Sequence, residues 1–181
     1  MPALPLLDSP LTDGEIALRP WREQDAGALT ALCQDETIVR WTNVPPDYTV
    51  DMASARITEA EAEREAGRAL ILAVVGADTD ALLGACDLRI HDVGYAEVAY
   101  MLGAHARGRG VITRAVLLVS RLAIEQLRIQ HLEILAHPQN LASIAVAERA
   151  GFRREELRRL YRVKKGRAED RVVFSLSLDE S

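Results

Sequence analysis

The chain has 181 residues, a formal net charge of -5, 49% hydrophobic residues and only 4% aromatic ones, which suits one domain with a core of Leu, Val, Ile and Ala. The acidic balance excludes a general basic field for nucleic acid, and the two cysteines, Cys33 and Cys86, form neither a disulfide framework nor a zinc spacing. With no segment resembling a membrane span or a signal peptide, the expectation is a reduced, cytoplasmic protein with no metal and no nucleic-acid or membrane partner.

In chain order, residues 1–13 read as an extension laid over the surface and residues 14–181 as a single domain. Gly14–Trp21 alternates Ile16 and Leu18 with polar neighbours, as a strand does, and Pro20 ends it. Arg22–Trp41 reads as one helix, with Ala28, Leu29, Leu32 and Cys33 at helical spacing. The proline pair makes Thr42–Thr49 a loop. A long amphipathic helix follows, capped by Thr49 or Asp51 and closed by Gly67. Three strands come next, Ala69–Val75, Leu82–His91 and Tyr95–Leu102, and then a helix over Gly110–Arg128. The segment HLEILAH supplies a strand, Leu132–Ala136 at its centre. Asn140 caps a further helix that Gly151 ends. Strands over Phe152–Val163 and Arg167–Leu178 finish the chain, with a Lys-Lys-Gly turn between them. The order β, α, α, βββ, α, β, α, ββ fits one mixed sheet with helices on both faces, an α/β fold.

The stretch Arg107-Gly108-Arg109-Gly110 opens the fourth helix of that order. A helix start carries unpaired N–H groups and the positive end of the dipole. Glycine lets an anion approach the amides of Gly108 through Thr113, and the two arginines add charge beside them. The spacing is neither a Walker A loop nor a dinucleotide fingerprint. On the loop alone, a well-capped surface turn explains the residues equally well.

This loop is followed, after one helix and one strand, by HPQNLASIAVAERAGF (His137–Phe152), and preceded by LRPWREQDA and AEVAYML. The combination resembles the GNAT superfamily of acyl-CoA-dependent N-acyltransferases, in particular its RimJ/RimL-like subgroup, which acetylates ribosomal-protein N-termini. The resemblance spans about Glu15 to Leu178. It implies the GNAT fold: one twisted mixed sheet, helices on both faces, and a splay between the fourth and fifth strands of the order above. It also implies acetyl-CoA as donor, with succinyl-CoA or another acyl-CoA open. The CoA pyrophosphate would sit on the loop Arg107, Gly108, Arg109, Gly110, Val111, Ile112 and Thr113. The pantetheine arm would bond the backbone of Tyr100, Met101 and Leu102 as an added strand does. Asn140 and Ser143 would meet the arm near its thiol end. The chain departs from the family pattern at Ile112, where a small residue is expected and a larger one could crowd the pyrophosphate. It departs again at Arg114, where relatives often have Glu.

The reaction needs a route for the amine proton, an oxyanion donor and a group for the leaving thiolate. Glu97 is the candidate base, acting directly or through water, since Glu97, Ala99 and Met101 share one face of their strand and Val98, Tyr100 and Leu102 the other. A solvent-facing glutamate on an open sheet is the alternative. The amide near Met101 or Leu102 is the candidate oxyanion donor. The family's usual tyrosine acid is replaced by Ala147, and the resemblance to RimL-like enzymes gives Ser143 that duty. Arg162 stands where some relatives carry an acid, so no base is expected from that strand. Cys86 is read as core. None of the four histidines has a metal-like partner, and His91 is a minor base candidate. Trp21, Trp41 and Tyr48 are candidates to line an acceptor pocket, with ordinary packing as the alternative. The expected reaction is direct acyl transfer to a primary amine, a protein N-terminus or a small amine, by a monomer or homodimer. The rival classes are a non-catalytic acyl-CoA-binding module and a nucleotide-phosphate-binding protein.

Overall fold

A computed structural model describes residues 2–7, 9–164 and 166–177. The expected ends at Leu178 and at the middle lysine of the last turn, Lys165, lie outside the described residues. The strands are β1 (Leu11–Thr12), β2 (Ile16–Pro20), β3 (Ala69–Gly76), β4 (Leu82–Asp92), β5 (Tyr95–Leu102), β6 (His131–Ala136), β7 (Arg153–Lys164) and β8 (Arg167–Ser177). The helices are α1 (Ala26–Cys33), α2 (Glu36–Trp41), α3 (Val50–Glu65), α4 (Val111–Glu125) and α5 (Leu141–Arg149). One 8-stranded mixed sheet runs β1-β2-β3-β4-β5-β6-β8-β7, antiparallel except where β5 meets β6.

Strand β3, Ala-Leu-Ile-Leu-Ala-Val-Val, is buried on both faces, as a strand covered by helices on either side must be. Its residues Leu70, Leu72 and Val74 join Leu18, Leu88 and Val98 under α4, whose Val111, Ala115, Val116, Val119 and Leu122 fall at helical spacing. On the other face Ala69 and Ile71 pack with Ala60 of α3, and Ala73 and Val75 with Ala17, Trp21 and Leu82. Each fully buried Leu or Val contributes about 1.5–3 kcal/mol over its exposed state, so α4 is fixed along its whole length. Short β1 was not foreseen, because two residues carry no periodicity. Leu4, Leu7 and Leu11 of the N-terminal segment pack against the main core.

The expected helix over Arg22–Trp41 is in fact three pieces: a single 3-10 turn (Glu23–Asp25), α1 and α2. Asp35 causes the break. Its side chain accepts from the amides of Thr37 and Ile38, and an aspartate serves a helix better as a new cap than as an interior residue. Thr49, not Asp51, caps α3, accepting from the Met52 amide. Gly67 closes that helix at φ +73°.

The functional consequence of the topology is at β5 and β6, the fourth and fifth strands before β1 is counted. They pair only through Tyr95–His131, Ala96–Leu132 and Glu97–Glu133. Beyond Glu97 the two strands part. The V-shaped gap between residues 98–102 and 134–136 is the expected splay.

Candidate active site

The gap opens into a cleft of about 1190 Å³ that passes between the two sides of the sheet. On one side stand the Arg-Gly loop and α5. Gly108 and Gly110 have φ of +74° and +73°, and Gly110 is the N-cap of α4. A Cβ on either would meet nothing within 4 Å, so glycine is required by the left-handed backbone rather than by crowding. Successive amides in such a turn, leading into a first helical turn that has no intrahelical acceptors, form a concave anion cradle. The residues fit a pyrophosphate.

Three side chains of this loop and its helix are engaged within the protein. Ile112 does not crowd the cradle; its side chain is buried in the core cluster beneath α4 while its amide stays in the first turn. Arg107 is held by the protein itself. It donates to Asp35 at 2.8 Å and to the Leu102 carbonyl at 3.2 Å, tying the loop to the α2 cap. Arg109 is exposed and lines the cleft, with no ion pair among the described residues. Arg114 is taken up by Asp13 at 2.8 Å.

Tyr100, Met101, Leu102, Asn140 and Ser143 all line the cleft. Residues 98–102 have no strand on their β6 side, so that edge of β5 has no ladder partner for an extended arm to displace. Asn140 caps α5 by accepting from the Ser143 amide at 3.2 Å. The cap sets Ser143 in the first turn of α5, where its Oγ lies 3.0 Å from the Tyr100 hydroxyl. Ala147 is fully buried in the core and presents no polar group.

Across the splay lies a wall of charged side chains. Glu97 faces it, as the pleat requires, but it is not a solvent-facing residue: its side chain is 4% exposed. The Arg162 guanidinium donates to its Oε2, and His91 Nε2 lies 3.3 Å from the same oxygen. Arg162, which was read only as the absence of an acid, is thus the counter-charge of the candidate base. Trp21, Trp41 and Tyr48 line this side together with Cys33. Burial pushes the Cys33 thiol up to about 11, and the wholly buried Cys86 thiol is raised as well, so neither is a thiolate nucleophile near neutral pH.

Sequence reasoning missed Asp87. It sits on β4 in register with Ala99, on the same face as Glu97, and lines the cleft. Its Oδ2 accepts from Arg56 at 3.1 Å and from Arg89 at 3.0 Å. Burial raises its carboxyl above the ordinary range, more than those two arginines lower it. A buried, cleft-lining carboxylate with such a shift is a candidate site residue. The available signal was a charged residue in the middle of the apolar run Leu-Leu-Gly-Ala-Cys-Asp-Leu.

The sequence family described as "Acetyltransferase (GNAT) domain" matches residues 15–153. The uncharacterised N-acetyltransferase p20 of Bacillus licheniformis is 28% identical over 163 residues, 89% of this chain and 92% of its own length. "Probable N-acetyltransferase YjcK" of Bacillus subtilis (strain 168) is 32% identical over 132 residues, 71% and 73% of the two chains. Among solved structures, RimL, a ribosomal-protein α-N-acetyltransferase in complex with coenzyme A, superposes with a TM-score of 0.85 at 17% identity, covering 96% of this chain and 100% of the other.

Proposed function

From the premise that this chain belongs to the GNAT acetyltransferase family and is an acyl-CoA-dependent N-acyltransferase, we propose that it transfers acetyl from acetyl-CoA to a primary amine that enters along the charged wall. The observation that carries this is a single cleft joining a glycine cradle on one side of the splayed sheet to buried carboxylates on the other. The likeness to RimL favours a protein N-terminus as acceptor, and the working domain is residues 14–181, to which the N-terminal segment adds β1 at the sheet edge and Leu4, Leu7 and Leu11 against the core.

In this scheme amides 108–113 and Arg109 hold the pyrophosphate, and the backbone of Tyr100–Leu102 aligns the arm. The amide near Met101 or Leu102 receives the developing oxyanion. Glu97 takes the amine proton, directly or through water, with Arg162 compensating its charge when buried. Ser143 serves the departing thiolate. No step requires a metal. A second assignment exchanges one role. Burial raises the proton affinity of Asp87 above that of an ordinary aspartate, and it stands opposite Ala99 on the face of Glu97, so it is the alternative acceptor of the amine proton.

Thermal melting in the presence of CoA, acetyl-CoA, succinyl-CoA, ATP and NADPH tests the binding half. A ligand at a hundredfold excess over its Kd adds about 2.7 kcal/mol of stability. Protection by CoA species and not by ATP or NADPH is expected, and the reverse would overturn the assignment. Thiol release with an amine and N-terminal peptide panel then compares Glu97→Gln with Asp87→Asn. Loss of a general base costs about 10²–10⁴-fold in turnover. The larger loss names the base, and equal, negligible losses would remove both.

A further inference from the structure

Ser143 has a partner that binding the arm does not call for. The Tyr100 hydroxyl lies 3.0 Å from Ser143 Oγ and 3.1 Å from the Ser143 carbonyl oxygen. Tyr100 stands on the pleat face of Val98, opposite to that of Glu97, and its ring packs against the main core. Burial pushes its phenol above the ordinary range, more than the bond to Ser143 lowers it. The group is therefore a neutral O–H at any working pH.

A hydroxyl carries one hydrogen, and a carbonyl oxygen can only accept. Two arrangements follow. If Tyr100 donates to the carbonyl, its oxygen is left to accept from Ser143, and the serine hydrogen turns away from the cleft. If Tyr100 donates to Oγ, the serine hydrogen is released toward the cleft. In the second, the bond from Tyr100 fixes the serine oxygen as acceptor and leaves its hydrogen for the cleft, whereas a serine hydroxyl unaided rotates among its staggered positions. Ala147, fully buried, offers no hydroxyl of its own.

We infer that Tyr100 is the positioning residue for the leaving group: by donating to Ser143 Oγ it aims the serine hydrogen at the sulfur of the departing CoA, so that Ser143 can take the duty that Ala147 leaves vacant. The inference rests on the assignment of Ser143 made above. Tyr100 keeps its proton throughout. As the carbon–sulfur bond breaks, its electron pair moves onto sulfur, where the Oγ–H bond stabilises it. Water then supplies the proton that makes the free thiol, balancing the one the amine releases.

The test needs no acceptor. The thiol of CoA bound to the protein is titrated by its thiolate absorbance, with desulfo-CoA complexes as blanks, for the wild type, Tyr100→Phe, Ser143→Ala and the double variant. Phenylalanine keeps the ring and its packing, so CoA protection against melting at neutral pH should be unchanged. The ionisation constant of the bound thiol is expected to fall about tenfold in Ser143→Ala, one unit on the pKa scale. Tyr100→Phe should reproduce most of that change, and the double variant should add nothing. A wild-type titration in Tyr100→Phe beside an altered Ser143→Ala would overturn the inference while leaving Ser143 in place. Unaltered titration in both would overturn both assignments. Failure of the wild type to bind CoA would instead remove the proposed function on which they stand.

Discussion

On the side of the cleft proposed for the cofactor, the groups that would bind are backbone amides, gathered in the segment Gly108–Thr113 and shaped by two glycines at positive φ. On the acceptor side they are side chains drawn from α3, β4, β5 and β7 and held to one another by ion pairs. The first half is a local conformation that the chain carries with it. The second exists only when distant elements are brought together. Backbone amides do not titrate and cannot rotate away, so they suit a donor with fixed chemistry. Paired side chains can be exchanged one at a time without changing the backbone, which suits the half that must recognise a particular acceptor.

The sharpest way to break this comparison is Gly110→Val. A β-branched residue at φ +73° costs roughly 1–2 kcal/mol of backbone strain, which the long core face of α4 can absorb. Losing two charge-assisted bonds in the cradle, at about 1.5–3 kcal/mol each, should weaken CoA by roughly a hundredfold or more. The expected result is a folded protein, by circular dichroism, that CoA no longer protects. Retained protection would place the phosphates elsewhere.

A smaller effect separates the halves by pH. The acceptor side is anchored by Arg19, which donates to Asp25 at 2.7 Å and to Asp80 at 2.7 Å, both in or beside α1 and the β3–β4 turn. Burial alone would push Asp25 up; the Arg19 guanidinium and the Arg22 amide more than offset it and hold the carboxyl below its ordinary range. A lowered folded value means the stabilisation is complete above the ordinary carboxylate range and is lost as the pH falls through the folded one. Melting temperature should therefore decline on acidification below about pH 4. In Asp25→Asn it should start lower, by about 3 kcal/mol of stability for a broken buried pair, and decline less steeply. An identical acid profile in the variant would deny the pair that role.

The smallest expected effect lies where the halves touch. Asp35 caps α2 and also receives Arg107 from the cofactor loop. Asp35→Ala should cost about 1 kcal/mol, the usual value of an N-cap, and freed Arg107 should tighten CoA rather than weaken it. Calorimetry of CoA binding checks the sign; weaker binding would mean that the latch shapes the cradle.

Much of this was legible beforehand. Most long elements were located by their period and their breakers; the helix over Arg22–Trp41 failed at Asp35, polar in a helical run but the cap of α2, and at its start, where Glu23–Asp25 form a 3-10 turn. The cradle was legible because glycine spacing and a helix start are adjacent in sequence. Glu97 was placed on its correct face by alternation alone, which also fixed the opposite face of Tyr100. Its partner was not, since Arg162 is 65 positions away and reaches Oε2 only because β7 and β8 fold back beside β6. Asp87 was on the page as a charge in an apolar strand, but its register with Ala99 is a property of the sheet.

By itself, then, the sequence determined most of the long elements, the α/β class and the glycine turn that opens α4, because each depends on residues within a turn or two of one another. The tertiary structure alone decided that β5 and β6 part after Glu97, that Arg162 neutralises Glu97, that Asp87 joins it, and that Tyr100 reaches Ser143 43 positions away. Those contacts are set by strand register and by helix packing across the sheet. Local propensity carries no information about either, because the same side chains would satisfy the same periods in a different register.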